Sequence, residues 1–120
     1  MNIKTDIIPK LQTYLHHIDT STMPKNISRI ILFGSYARGE QTLYSDIDIS
    51  VVYHGTQKKK RGTYFSWQEE LDYLFSEAGL IVNYFYTNEH NLHTSTDTFD
   101  TNTWINKEGI TLWTQTPTSQ

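Results

Sequence analysis

Apolar residues return along this chain with two periods, one near 3.6 residues and one of two, and the switches between them lay out its elements. Ile3, Ile7, Ile8, Leu11, Leu15 and Ile18 recur at helical spacing, so residues 2–19 read as an amphipathic helix. Pro9 lies inside it, where it either kinks the helix or marks its true start. A polar turn with Pro24 follows, and residues 29–33 form a short continuous apolar strand that ends at Gly34. Ser35 is placed to cap a short helix reaching about Gly39, and residues 40–45 read as loop. Residues 46–53 then alternate, with Ile47, Ile49, Val51 and Tyr53 on one face and Asp46, Asp48 and Ser50 on the other.

Residues 54–62 are a polar loop holding Lys58, Lys59, Lys60 and Arg61. Ser66, Trp67, Gln68 and Glu69 have the spacing of a capping box. Trp67, Leu71, Leu74, Phe75 and Ala78 continue as a helix face, and Gly79 is a natural stop. Residues 80–86 are strongly β-prone. Residues 87–103 are rich in Thr, Asp and Asn and weakly helical at best, and residues 104–107 close a helix before Gly109. Residues 110–113 read as a short last strand. This order predicts an α/β (α+β) sheet with helices mostly on one face.

The segment between the first two strands holds the chemistry. Gly34 and Ser35 are followed by ten residues and then by Asp46, Ile47 and Asp48. A glycine between strand and helix lets phosphate approach the backbone, and the first amides of the helix point at an anion. Ser35 adds a hydroxyl donor. Asp46 and Asp48 are two apart on a strand, so their side chains leave one face with Cα atoms roughly 6–7 Å apart. Two carboxylates so placed reach one magnesium ion or bridge two, and nothing basic alternates with them. Each half of the pattern alone also fits an ordinary turn or a solvated strand face. Together they place a phosphate cradle and two carboxylates at the same end of adjacent strands.

These residues resemble the DNA polymerase β-like nucleotidyltransferases, and within them the minimal nucleotidyltransferases, whose signature is Gly-Ser, ten residues, Asp-x-Asp. Ala37-Arg38-Gly39 and Ser45-Asp46-Ile47-Asp48 look like the family's flanking residues, and Lys107 to Trp113 is similar to its terminal Glu-Gly-hydrophobic stretch. The resemblance implies a small mixed sheet and magnesium-dependent transfer of a nucleoside monophosphate, AMP from ATP, to a hydroxyl. It implies that Gly34, Ser35, Arg38 and Ser45 bind nucleotide and that Asp46 and Asp48 hold Mg2+ and carry catalysis. It also implies a partner, a helical HEPN-type toxin that the protein silences as an antitoxin by AMPylation.

The chain departs from the family at one position. A third acid is usual on the next core strand, and Asn83 stands there. Asparagine cannot take a proton from an attacking hydroxyl. Its orientation depends on strand register, since a one-residue slip turns it away from the aspartates. The alternative is therefore a catalytically impaired module that neutralises its partner by contact. Glu40, Asp72 and Glu77 are the nearest acids in sequence, and none is placed at the site by pattern. A third reading, a small-molecule transferase of the aminoglycoside-modifying type, would need a helical drug-binding domain or a homo-oligomer to build the pocket.

Composition narrows the partners. With 120 residues the chain is expected to be one domain, residues 1–113, followed by a disordered tail at 114–120. Its formal net charge of -3 argues against general nucleic-acid binding. The absence of cysteine excludes disulfides, thiolate metal sites and cysteine nucleophiles. Short apolar runs and no secretory pattern lead to the expectation of a cytoplasmic protein with no membrane partner.

Overall fold

The protein is described here from a computed structural model covering residues 7–18, 23–55 and 65–115. Four strands form one mixed sheet in the order β3-β2-β1-β4. These are β1 (Ile27–Phe33), β2 (Ile47–Tyr53), β3 (Val82–Asn88) and β4 (Ile110–Thr114). β1 is antiparallel to both β2 and β4, and β2 is parallel to β3. A parallel pair needs a crossover, and α3 (Ser66–Ser76) supplies it. The other helices are α1 (Ile7–His16), α2 (Ser35–Arg38), α4 (Glu89–Thr94) and α5 (Thr101–Glu108).

The alternation of β1 and β2 sorts the sheet into two faces. Ile30, Leu32, Ile47, Ile49 and Val51 point one way, into a core with Leu11 and Leu15 of α1, Tyr36 of α2, and Trp67, Leu71 and Phe75 of α3. Full burial of each large side chain there stabilises the fold by about 1.5–3 kcal/mol. Ile31 and Val52 point the other way and pack with Leu92 of α4 and Ile105 of α5. Most of the helical cover thus lies on one face. The smaller cluster on the second face holds α4 and α5 against the sheet.

Element boundaries differ from the sequence expectations for local reasons. Pro9 is the third described residue of α1, and the residues before Ile7 lie outside the described ones. The cap of α3 is shifted by one residue. Gln68 Oε1 accepts from the Phe65 N–H at 3.0 Å, so Ser66 is the first helical residue and not the cap. The turn to Gly79 (φ 76°) then delays β3 to Val82, two residues later than the pattern. The polar stretch expected to be weakly helical holds α4 and the start of α5. Each begins at a side-chain cap: Asn88 accepts from the Asn91 N–H at 2.7 Å, and Asp100 from the Asn102 N–H at 2.9 Å. At the other end, β4 runs through Thr114, and the Gln115 N–H donates to the Ser28 carbonyl at 2.8 Å. The rest of the expected tail, and the basic residues Lys58–Arg61, lie outside the described residues. Among the described residues, no helix is long and apolar enough to cross a membrane.

Candidate functional site

Strand register assembles the site. Phe33, the last residue of β1, pairs with Asp48 of β2, and Asp48 pairs with Asn83 of β3. The Gly-Ser turn, the second aspartate and the asparagine therefore lie at one level of the sheet.

Gly34 has φ 81° and ψ -158°, a conformation that side chains disfavour. A Cβ built on it would lie 2.5 Å from Asp48 Oδ2. Glycine is thus required by both angle and space. Gly34, not Ser35, occupies the cap position of α2, and no side chain caps that end. Its carbonyl accepts from the N–H groups of Ala37 and Arg38 at 3.1 and 3.2 Å. The amides of Ser35 and Tyr36 precede the first intrahelical bond, the position from which helix amides meet anions.

Asp46 is exposed and Asp48 is half-buried. Burial raises the Asp48 carboxyl above its ordinary value, and the negative charge of Asp46 adds to this; the Asn83 hydrogen bond and the charge of Arg38 oppose it. Asn83 faces this pair. Its Nδ2 donates to Asp46 Oδ2 at 3.1 Å and lies 3.4 Å from Asp48 Oδ1. A neutral donor therefore stands between two acids, where the sequence pattern has an expected third acid. None of the three nearest acids in sequence joins the aspartate pair in a metal-ligating group. Glu40 is bound to Arg38, Asp72 accepts from the Tyr84 hydroxyl at 3.0 Å, and Glu77 is exposed beyond the end of α3. Among the described residues, no three metal-ligating side chains converge.

Two other expected nucleotide contacts have partners already. Arg38 Nε lies 2.6 Å from Glu40 Oε1, and its Nη1 lies 3.0 and 3.1 Å from the two oxygens of Glu108. Ser45 closes its own loop: its Oγ accepts from the Thr42 N–H at 2.8 Å, and its N–H donates to the Thr42 carbonyl at 3.2 Å. Its hydroxyl is used to shape the turn that delivers Asp46. Tyr36, next in the motif, is buried; burial and then the charge of Asp46 raise its hydroxyl above the usual tyrosine value.

A cavity of about 640 Å³ opens at this level. Phe33, Gly34, Ser35, Arg38 and Asp48 line it from the first two strands and α2, and Thr101, Trp104 and Glu108 line it from α5. The α5 wall is absent from the sequence reading. Its signal was present: an Asp100 cap, then three residues spaced three and four apart, which is one helix face.

Residues 16–108 match the family model described as polymerase beta, nucleotidyltransferase. Over 57 residues, 48% of this chain, the sequence is 42% identical to the Methanocaldococcus jannaschii protein named "Putative protein adenylyltransferase MJ1379". The match spans 54% of that protein, about half its length. A solved structure described as a "putative nucleotidyltransferase from Sulfolobus solfataricus" superposes with a TM-score of 0.53 and 21% identity, over 93% of this chain and 85% of that one. Another, described as a toxin-antitoxin with AMP-PNP, gives a TM-score of 0.50 and 24% identity, over 87% of this chain and 73% of that one. These two structural likenesses concern the fold.

Proposed function

This chain belongs to the polymerase beta nucleotidyltransferase family, and we propose that it moves AMP from ATP to a hydroxyl of a partner protein, releasing pyrophosphate. The observation that carries the reading is the packing of Asp48 against Gly34, with Asp46 joined to the same point through Asn83. One place thus offers a backbone cradle for phosphate and two carboxylates for a cation.

The residues present fit magnesium. Two carboxylates converge on one amide donor, which is a position for positive charge. Magnesium takes few protein carboxylates and completes its shell with phosphate oxygens and water. When bound, it would withdraw charge from the triphosphate and lower the pKa of the acceptor hydroxyl. Asp46 and Asp48 would hold it, with the Asn83 amide able to turn its oxygen inward. Gly34 and Ser35 would seat the triphosphate through backbone amides and a hydroxyl. Arg38 would offset its charge from the cavity wall.

The protein acceptor is supported by the name of the M. jannaschii relative. An antitoxin role, with nucleotide bound, is supported by the toxin-antitoxin neighbour. The family resemblance adds a helical HEPN-type toxin as the partner, with a tyrosine hydroxyl as a suitable acceptor. One observation favours a second reading. Asn83 holds both aspartates yet accepts no proton, so the chain could bind nucleotide and silence its partner by contact alone.

The test is incubation with α-labelled ATP, magnesium and extract of the host cell. A labelled protein band that disappears with Asp46→Asn/Asp48→Asn supports transfer. A band seen only with Asn83→Asp supports the contact reading. No band from any variant counts against protein adenylylation.

A further inference from the structure

We infer that Trp104 is the stacking platform for the purine base of the nucleotide held at Gly34, Ser35 and Asp48. The inference rests on nucleotide binding as proposed above, and adds to it the subsite that recognises the base.

The cavity is divided by chemistry. Its Gly34, Ser35, Arg38 and Asp48 side supplies backbone amides, a hydroxyl and charge, which suit a triphosphate and its cation. Its α5 side supplies a large aromatic ring. Its volume of about 640 Å³ is in the range of small-ligand sites.

Trp104 differs from the other two tryptophans. Trp67 and Trp113 are 1% and 5% exposed and pack in the core, whereas Trp104 is 43% exposed. The indole is nevertheless held in place: its Nε1–H donates to the Thr98 carbonyl at 2.9 Å. That bond satisfies the one polar atom of the ring, so the ring offers the cavity π surface and no donor. The Lys107 amine sits over the ring, 5.5 Å from its centroid. An anchored ring gives up little freedom on binding a flat ligand. Any base has a π face, and a purine has the larger one.

The experiment is calorimetric titration of the full chain with magnesium ATP and, separately, with magnesium and inorganic tripolyphosphate, which carries the phosphates without a base. Trp104→Leu removes the π face and keeps an apolar side chain with good helix propensity. Trp104→Phe keeps a smaller π face, and circular dichroism confirms folding of both. The expected result is about a ten-fold loss of ATP affinity in Trp104→Leu, unchanged tripolyphosphate affinity, and partial recovery in Trp104→Phe. Native ATP affinity in Trp104→Leu, or equal loss for both ligands, overturns the inference. If the natural protein binds both ligands equally well, the base makes no contribution and the inference alone fails. If it binds neither, the nucleotide reading fails with it.

Discussion

Gly34 and Asp48 share a space with no room for a methyl group: a Cβ on Gly34 would come 2.5 Å from Asp48 Oδ2. The turn after β1 and the carboxylate on β2 are therefore one packing unit. Gly34→Ala must push the carboxylate away and also accept the φ of 81°. The expected cost is about 1–3 kcal/mol in folding stability, with a larger loss of magnesium and nucleotide affinity. Chemical denaturation and a magnesium ATP titration measure the two effects. A variant that binds like the natural protein would show that this contact does not set the carboxylate.

Asn83→Asp places a third negative charge about 3 Å from two others. Without magnesium the variant should melt at a lower temperature than the natural protein. With millimolar magnesium the order should reverse, because three carboxylates bind the ion more tightly than two and an amide. Melting curves at several magnesium concentrations test this. A variant whose melting temperature ignores magnesium would remove Asn83 from the cation site.

Asp46→Asn/Asp48→Asn removes both charges and keeps the shape of the site. Transfer of label from ATP should fall by about a hundred-fold or more. Stability without metal should be retained or improved, since two like charges no longer face each other. A measurement of turnover beside a denaturation curve separates the outcomes. Loss of both activity and stability would mean that the aspartates hold the fold instead.

Glu89 provides the pH test. It accepts from Arg29 at 2.9 and 3.1 Å and from Ser28 at 2.5 Å, and His93 Nε2 lies 3.1 Å away. Burial, the largest single influence, raises its carboxyl; the hydrogen bonds of Arg29 and Ser28 and the charges of Arg29 and His93 more than offset it, and the net effect is below the ordinary 4.5. A carboxyl lowered in the folded state adds stability above its unfolded value and loses it as pH falls through the folded one. Glu89→Gln should therefore be less stable at neutral pH by about 1 kcal/mol, with the difference vanishing in acid. Urea denaturation at a series of pH values checks it. A difference constant with pH would assign the effect to packing.

Much of this was legible because it is local. The alternation of β2 puts Asp46 and Asp48 opposite Ile47, Ile49 and Val51, and the observed core takes those three residues. The Gly-Ser turn and its spacing carried the family resemblance, which the match over residues 16–108 bears out. Residues 87–103 were harder. Their helices depend on the Asn88 and Asp100 caps and on a few apolar anchors, Leu92 and Ile105, whose value appears only against Ile31 and Val52.

The sequence by itself determined the strand faces, the Gly-Ser turn and the acidic pair, because periodicity and turn chemistry act within a few residues. Only the tertiary structure decided three further points. Parallel pairing of β2 with β3 set Asn83 beside Asp48, because register comes from the α3 crossover and its packing. Arg38 was matched with Glu108, 70 residues away, because α5 ends against β1. There a side chain on Gly109 would strike Ile31 and the Ile105 carbonyl. Trp104 came to line the cavity because Ile105, its neighbour on the helix, is buried on the sheet. Each of these depends on contacts between distant segments, which residue spacing does not encode.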